Sequence, residues 1–237
     1  QGFASNIMIH DMARSTYESL LPAQGIQNYQ SASADTELVT QRGWAVATGP
    51  SALGGGVLML THITTLFDEL SQRESRVLIS EAGLSAPPVT DRATVFTDGR
   101  AGRTTILSLS NPNSEPVTVS LVFRDADGSE VSDRIERQIA SNGSTAWPLD
   151  ELQASGPGSV ELSANAPLAL IATRETTNDR NEKIVTATPV AYGPGAGGGG
   201  TVALPRYEFG RNTTTEIVVV NPSDDPLIGR LSFFAFS

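Results

Sequence analysis

The chain has 237 residues, 39% of them apolar, and carries a net charge of −10 from 26 acidic against 16 basic side chains. That length and apolar share suffice for one large or two ordinary cores, while the acidic balance argues against a nucleic-acid partner, whose phosphates need clustered positive charge. The absence of cysteine excludes disulfides, thiol catalysis and Cys-based zinc sites, and the most apolar piece, Val57–Leu60, is far short of a membrane span.

In chain order, Ile7–Asp11 and Tyr17–Leu21 have the composition of short strands. The turn Pro22-Ala23-Gln24-Gly25 follows, then Ile26–Tyr29. Gly43-Trp44-Ala45-Val46 opens another strand, with Leu53 ten residues beyond Gly43 and Gly54-Gly55-Gly56 after it. Leu66–Arg76 is short and charged, and reads as a helical turn or long loop. Leu107–Phe123, LSLSNPNSEPVTVSLVF, reads as strand, turn and strand: proline lacks the donor of a central strand and pushes the preceding Asn111 away from helix. The turn Asp125-Ala126-Asp127-Gly128, the strand Ile135–Ile139, the turn Asn142-Gly143 and Trp147 come next. Gly158-Ser159-Val160-Glu161 opens a strand with Leu168 ten residues beyond Gly158, and Glu175–Lys183 is loop-like. Gly193–Gly200 is a Gly-rich linker. The final stretch, Ile217–Phe233, is a second strand, turn and strand, ending in the apolar run LSFFAF.

The last of these segments repeats the central one. Asn111, Pro112, Pro116, Leu121 and Phe123 match Asn221, Pro222, Pro226, Leu231 and Phe233, each 110 residues apart. A weaker correspondence pairs Gly43 with Gly158 and Leu53 with Leu168, 115 residues apart. Residues 94–192 therefore form a whole repeat, 1–93 the later part of one, and 201–237, after the 193–200 linker, the opening strands of a further one. Many short strands punctuated by Gly, Pro, Asn and Asp imply an all-β chain of Ig-like β-sandwich repeats, about two periods, permuted so that it starts and ends mid-repeat. Such a permuted frame fits either a window of a longer tandem protein, as the opening Gln1 also suggests, or a subunit completed by its neighbour.

The pattern Ile106–Gly128, an apolar strand, Asn-Pro, a short polar turn, a second Pro and a strand ending near Asp-x-Asp-Gly, resembles the Ig-like β-sandwich repeats of large secreted and surface proteins of bacteria. Gly43-Trp44-Ala45 and the small-residue run from Leu53 to Val57 are similar to a later strand pair of such repeats. The resemblance implies an extracellular or cell-surface location and an architectural or adhesive role, with no catalytic residues to carry over.

No residue set specifies an enzyme. His10 and His62 are the only histidines, and no Gly-x-Ser-x-Gly elbow accompanies them, so His62 reads as a strand residue and neither as a metal ligand. Asp125 and Asp127 echo part of a calcium loop but lack its remaining ligands, and read as a turn. The glycine runs have no Lys-Ser/Thr after them to cradle phosphate, and no cofactor is called for. Asn142-Gly-Ser144 and Asn212-Thr-Thr214 have the form of glycosylation sequons. The expectation is a non-enzymatic structural protein whose partner is itself, assembling head-to-tail by strand complementation into a fibre, sheath or surface layer. Leu231, Phe233 and Phe236 supply one side of the assembling edge, and Ile7 and Ile9 the other. The alternative is a carbohydrate-binding or adhesive module holding a surface polysaccharide on Trp44, Trp147, Tyr29 and Tyr192, although Trp44 and Trp147 also suit core packing.

Overall fold

A computed structural model of the chain describes residues 6–9, 28–31, 45, 57–68, 72–149, 156–193, 215–219, 221, 225–226 and 228–233. These residues are all-β, with no helix among them. The chain divides into two compact units, residues 1–50 and 51–237. In the first, β1 (Asn6–Ile9) and β2 (Asn28–Ser31) pair in parallel, Ile7 opposite Tyr29 and Ile9 opposite Ser31. The expected strand Tyr17–Leu21 lies outside the described residues.

The second unit opens with a long antiparallel ribbon of β3 (Val57–Asp68) and β4 (Arg73–Ser85). This corrects the reading of Leu66–Arg76 as a helical turn or loop. The segment is the closed end of a hairpin, with Gln72 in the left-handed region at φ 53° and Asp68 opposite Arg73. Its charges are those of an exposed ribbon end, and the cross-strand ladder satisfies backbone groups that a short helix would have left at its termini.

Eight further strands are joined through one of them: β5 (Thr90–Asp98), β6 (Arg103–Ser110), β7 (Val117–Asp125), β8 (Ile135–Ile139), β9 (Ser144–Pro148), β10 (Pro157–Thr177), β11 (Lys183–Thr188) and β12 (Val190–Tyr192). β10 is 21 residues long and serves two sheets. Its first half lies between β5 and β7, giving the order β12-β5-β10-β7-β8. Its second half lies between β6 and β11, giving β9-β6-β10-β11. The change of sheet occurs between Ser163 and Leu168, where the β5 register shifts and Pro167 cannot donate to a ladder. A strand that bends round a core keeps one face inward. Hence Val160 and Leu162 before the bend, and Leu168, Leu170 and Ala172 after it, are all buried. β5 begins at Thr90, so the first strand of this body straddles the boundary read at 93/94.

The period-2 runs of the sequence fill this core. Leu107 and Leu109 of β6, Val117, Val119, Leu121 and Phe123 of β7, and Val95 of β5 form one buried cluster with the β10 residues, Ile139 and Leu149. Full burial of each such side chain contributes about 1.5–3 kcal/mol. Gly158 lets β10 lie close to β7, since a Cβ there would overlap the carbonyl oxygen of Arg124.

Asn111 closes the sandwich-like body at one end. It is fully buried, between β6 and the turn to β7. Its Nδ2 donates to the carbonyls of Glu115 (2.8 Å), Ala140 (3.0 Å) and Ile139 (3.2 Å). Its Oδ1 accepts from the backbone N–H (2.9 Å) and Nδ2 (2.8 Å) of Asn113, whose Nδ2 also donates to the carbonyl of Pro167 at 2.8 Å. The Asn111 N–H donates to Gly143 O, in the turn where Asn142 sits at φ 52°. The β6–β7 connection, the β8–β9 turn and the bend of β10 thus meet on two asparagines. We expect Asn111→Ala to lower unfolding stability by about 2 kcal/mol, because the buried Ile139 carbonyl and the part-buried carbonyls of Glu115 and Ala140 lose their donor. Asn111→Asp is expected to cost more at pH 7, since an acceptor then faces those carbonyls. Urea denaturation of both variants checks the order, and equal costs would refute the hydrogen-bond account.

Candidate functional site

The second Asn-Pro segment repeats one hydrogen bond of the first. Asn221 Nδ2 donates to the carbonyl of Asp225 at 2.8 Å, four residues on, as Asn111 does to Glu115. The surroundings differ. Residues 215–219 and 228–233 form no strand, against the expectation of a strand, turn and strand over Ile217–Phe233. Positions whose counterparts Leu109, Leu121 and Phe123 are buried at 0–1% exposure are here Val219 at 77%, Leu231 at 55% and Phe233 at 59%. Among the described residues no ladder flanks this segment, whereas the first copy is strand because β6 lies between β9 and β10, and β7 between β8 and β10. An apolar-alternating segment is β only where neighbouring strands take its backbone groups.

A second exposed apolar surface lies on the β3–β4 ribbon. Val57 (69%), Met59 (53%), Ile63 and Leu78 stand on one side of it. On the other side Ser80, Ala82 and Leu84 of β4 are buried, while Leu58 and Leu60 of β3 are exposed. There Ser80 Oγ accepts from the Val185 N–H at 3.2 Å, and His62 Nδ1 lies 3.0 Å from the carbonyl of Lys183, a bond in which the ring nitrogen donates. His62 is thus a strand residue, as its sequence context predicts.

The strongest electrostatic cluster surrounds Asp98, at the end of β5. Its carboxylate is 1% exposed. Arg100 holds it through Nε to Oδ1 and Nη2 to Oδ2, both 2.8 Å, and Arg103 Nη1 donates to Oδ2. Arg174 Nη1 lies 3.7 Å away. The hydrogen bonds from Arg100, followed by those from Arg103, hold the Asp98 carboxyl well below the usual carboxylate range despite its burial. Arg100 Nη2 also reaches Glu216 Oε2 at 2.8 Å and lowers that carboxyl in turn. The second Asn-Pro segment is therefore tied at its start to the β5–β6 turn. An open cleft of about 300 Å³ beside this turn is lined by Arg100, Arg103, Glu175, Thr177 and Lys183. Its charges are paired among themselves, Lys183 with Glu175 at 3.3 Å and the arginines with Asp98.

Of the residues expected at an assembling edge, Leu231 and Phe233 are exposed, and Phe236 lies outside the described residues. Ile7 and Ile9 lie in β1, paired with β2. Of the aromatic set, Trp147 packs against the core and the Tyr192 hydroxyl donates to Leu170 O at 3.0 Å, with burial raising its pKa. Trp44 lies outside the described residues, as does Asn212 of the second sequon. Asp125 behaves as a turn residue, its Oδ1 accepting the N–H groups of Asp127 and Ser129, both at 3.0 Å. Among the described residues, no three His, Asp or Glu side chains gather as a metal site. The Asp98 cluster escaped the sequence reading, because nothing in the spacing of Asp98, Arg100, Arg103 and Arg174 reveals that β5, β6 and β10 end together.

No protein-family model matches the chain, and no curated protein is similar to it. Among solved structures, the crystal structure of Thermotoga maritima 1070 is similar with a TM-score of 0.36 and 20% identity, over 44% of this chain and 93% of that one.

Stability should depend on Asp98 in a defined pH window. Its folded pKa lies below the unfolded value of about 3.9. The stabilisation is therefore complete above that value and is lost as pH falls through the folded one. With its arginine partners about a third exposed, Asp98→Asn is expected to cost about 2 kcal/mol at pH 7. The difference from wild type should shrink towards pH 2, as urea titrations at the two pH values would measure; a constant difference would contradict the assignment.

Proposed function

We propose that the chain is a non-enzymatic structural protein of the cell exterior, built of tandem Ig-like β-sandwich repeats that complete one another by strand complementation. One observation carries the reading: the segment that supplies six of the fifteen core residues of the sandwich-like body recurs 110 residues later with its Asn hydrogen bond made and its core positions exposed. Exposed apolar residues in a strand-forming pattern are a template for another chain's sheet. A completed sandwich would bury Val219, Leu231 and Phe233 as the first buries Leu109, Leu121 and Phe123. Because the donated strands and the surface that receives them are different parts of one chain, the contact is head-to-tail and propagates into a fibre, sheath or layer. The resemblance to repeats of bacterial surface proteins supports the extracellular setting.

The reading is tested by sedimentation and electron microscopy of the chain over a range of concentrations. Elongated polymers are expected, whereas monodisperse monomers at all concentrations would overturn it. Val219→Asp with Leu231→Asp should weaken association by about a hundredfold or more, since two charges would enter an apolar interface. Circular dichroism of the isolated variant should be unchanged, both sites being exposed.

A further inference from the structure

The one Asn-Gly pair of the chain, Asn142-Gly143, sits in the β8–β9 turn that closes on the Asn111 node. We infer that this pair is the chain's site of spontaneous deamidation, and that the hydrogen bonds of the node hold the reaction back in the folded protein.

The chemistry begins at the peptide nitrogen of Gly143. Once deprotonated, it attacks Cγ of the Asn142 amide. An N–Cγ bond forms, the Cγ–Nδ2 bond breaks, and ammonia leaves behind a five-membered succinimide. Water then opens either carbonyl of the ring, giving aspartate or isoaspartate with no change of oxidation state. A successor without a side chain leaves the approach to Cγ open, so Asn-Gly reacts ahead of other asparagine pairs. Asn111 and Asn221 are barred from this route, because the proline nitrogen after each carries no proton.

The fold calls for the reactive pair. Asn142 is exposed and stands at φ 52°, a left-handed conformation that asparagine tolerates better than most residues. A Cβ on Gly143 would come within 2.9 Å of the Ala140 carbonyl oxygen, which is itself an acceptor of Asn111 Nδ2. The turn thus excludes the bulkier residue that would shield the amide.

The same turn restrains the reaction. Gly143 N–H donates to Ala140 O at 2.9 Å, so the attacking nitrogen is already engaged as a donor. Asn142 N–H donates to Asn113 O at 3.1 Å, and Gly143 O accepts the Asn111 N–H at 2.9 Å. Both sides of the reacting peptide are therefore fixed to the β6–β7 connection. Ring closure draws the Gly143 nitrogen onto Cγ and off the Ala140 carbonyl, which requires local opening of the node. An isoaspartate product would add a main-chain methylene between residues 142 and 143, inside these bonds, so ageing there loosens the closure of the body.

The full chain is incubated at mildly alkaline pH, folded and in guanidinium chloride. Conversion is followed by peptide mapping with mass spectrometry and by enzymatic methylation of isoaspartate. In denaturant Asn142 should convert before any other asparagine. In the folded chain its conversion should be slower by about tenfold or more. Asn111→Ala should speed the folded-state reaction several-fold. So should the milder Asn113→Ala, which withdraws a donor from Asn111 Oδ1 but keeps the backbone carbonyl that holds Asn142. Circular dichroism checks that the sheets persist in both. Another asparagine converting first in denaturant would overturn the site. Equal rates in the folded and unfolded chains, or folded-state rates unmoved by either substitution, would overturn the restraint.

Discussion

The sandwich-like body depends on a buried asparagine. Asn111 has no charge to desolvate, yet its amide serves three carbonyls and two N–H groups from the turn after β6 and the end of β8. In a body made of two sheets sharing one strand, the ends are where backbone groups run out of ladder partners. An Asn side chain meets that need better than water, because both its donors and its acceptor are used in one place. Asn113 extends the node to Pro167, at the point where β10 passes between sheets. Core burial supplies most of the stabilisation, but this node determines how the strands turn over the core.

β10 is the second constraint. A strand of 21 residues that pairs on both edges in both halves makes the two sheets one cooperative object. The same design explains why an isolated Asn-Pro segment is not a strand. Asn221 makes its hydrogen bond to the Asp225 carbonyl, four residues on, outside any ladder. Val219 and Leu231 lie in no ladder among the described residues. Local chemistry and long-range pairing are thus separated in one molecule, in two copies of one motif.

Much of the architecture was legible in the residues. The alternation of Leu107 and Leu109, and of Val117 to Phe123, identifies strands with one buried face, and Asn111-Pro112, Asp125–Gly128 and Asn142-Gly143 mark the turns that join them. These signals are local, with periods and spacings that act over a few residues. The 110-residue recurrence of the Asn-Pro unit was equally visible. The misreading of Leu66–Arg76 came from its charges, which suit an exposed ribbon end as well as a short helix.

What the sequence by itself determined is therefore the all-β character, the turns and the duplication of the Asn-Pro unit, since each is written in adjacent residues. Tertiary structure decided the rest. It gave β10 its place in both sheets, gathered Asp98, Arg100, Arg103 and Arg174 from the ends of three strands, and left one copy of the motif buried and the other exposed. The reason is that pairing partners in a sheet are chosen across long stretches of chain, and no local pattern encodes which edge a strand will meet.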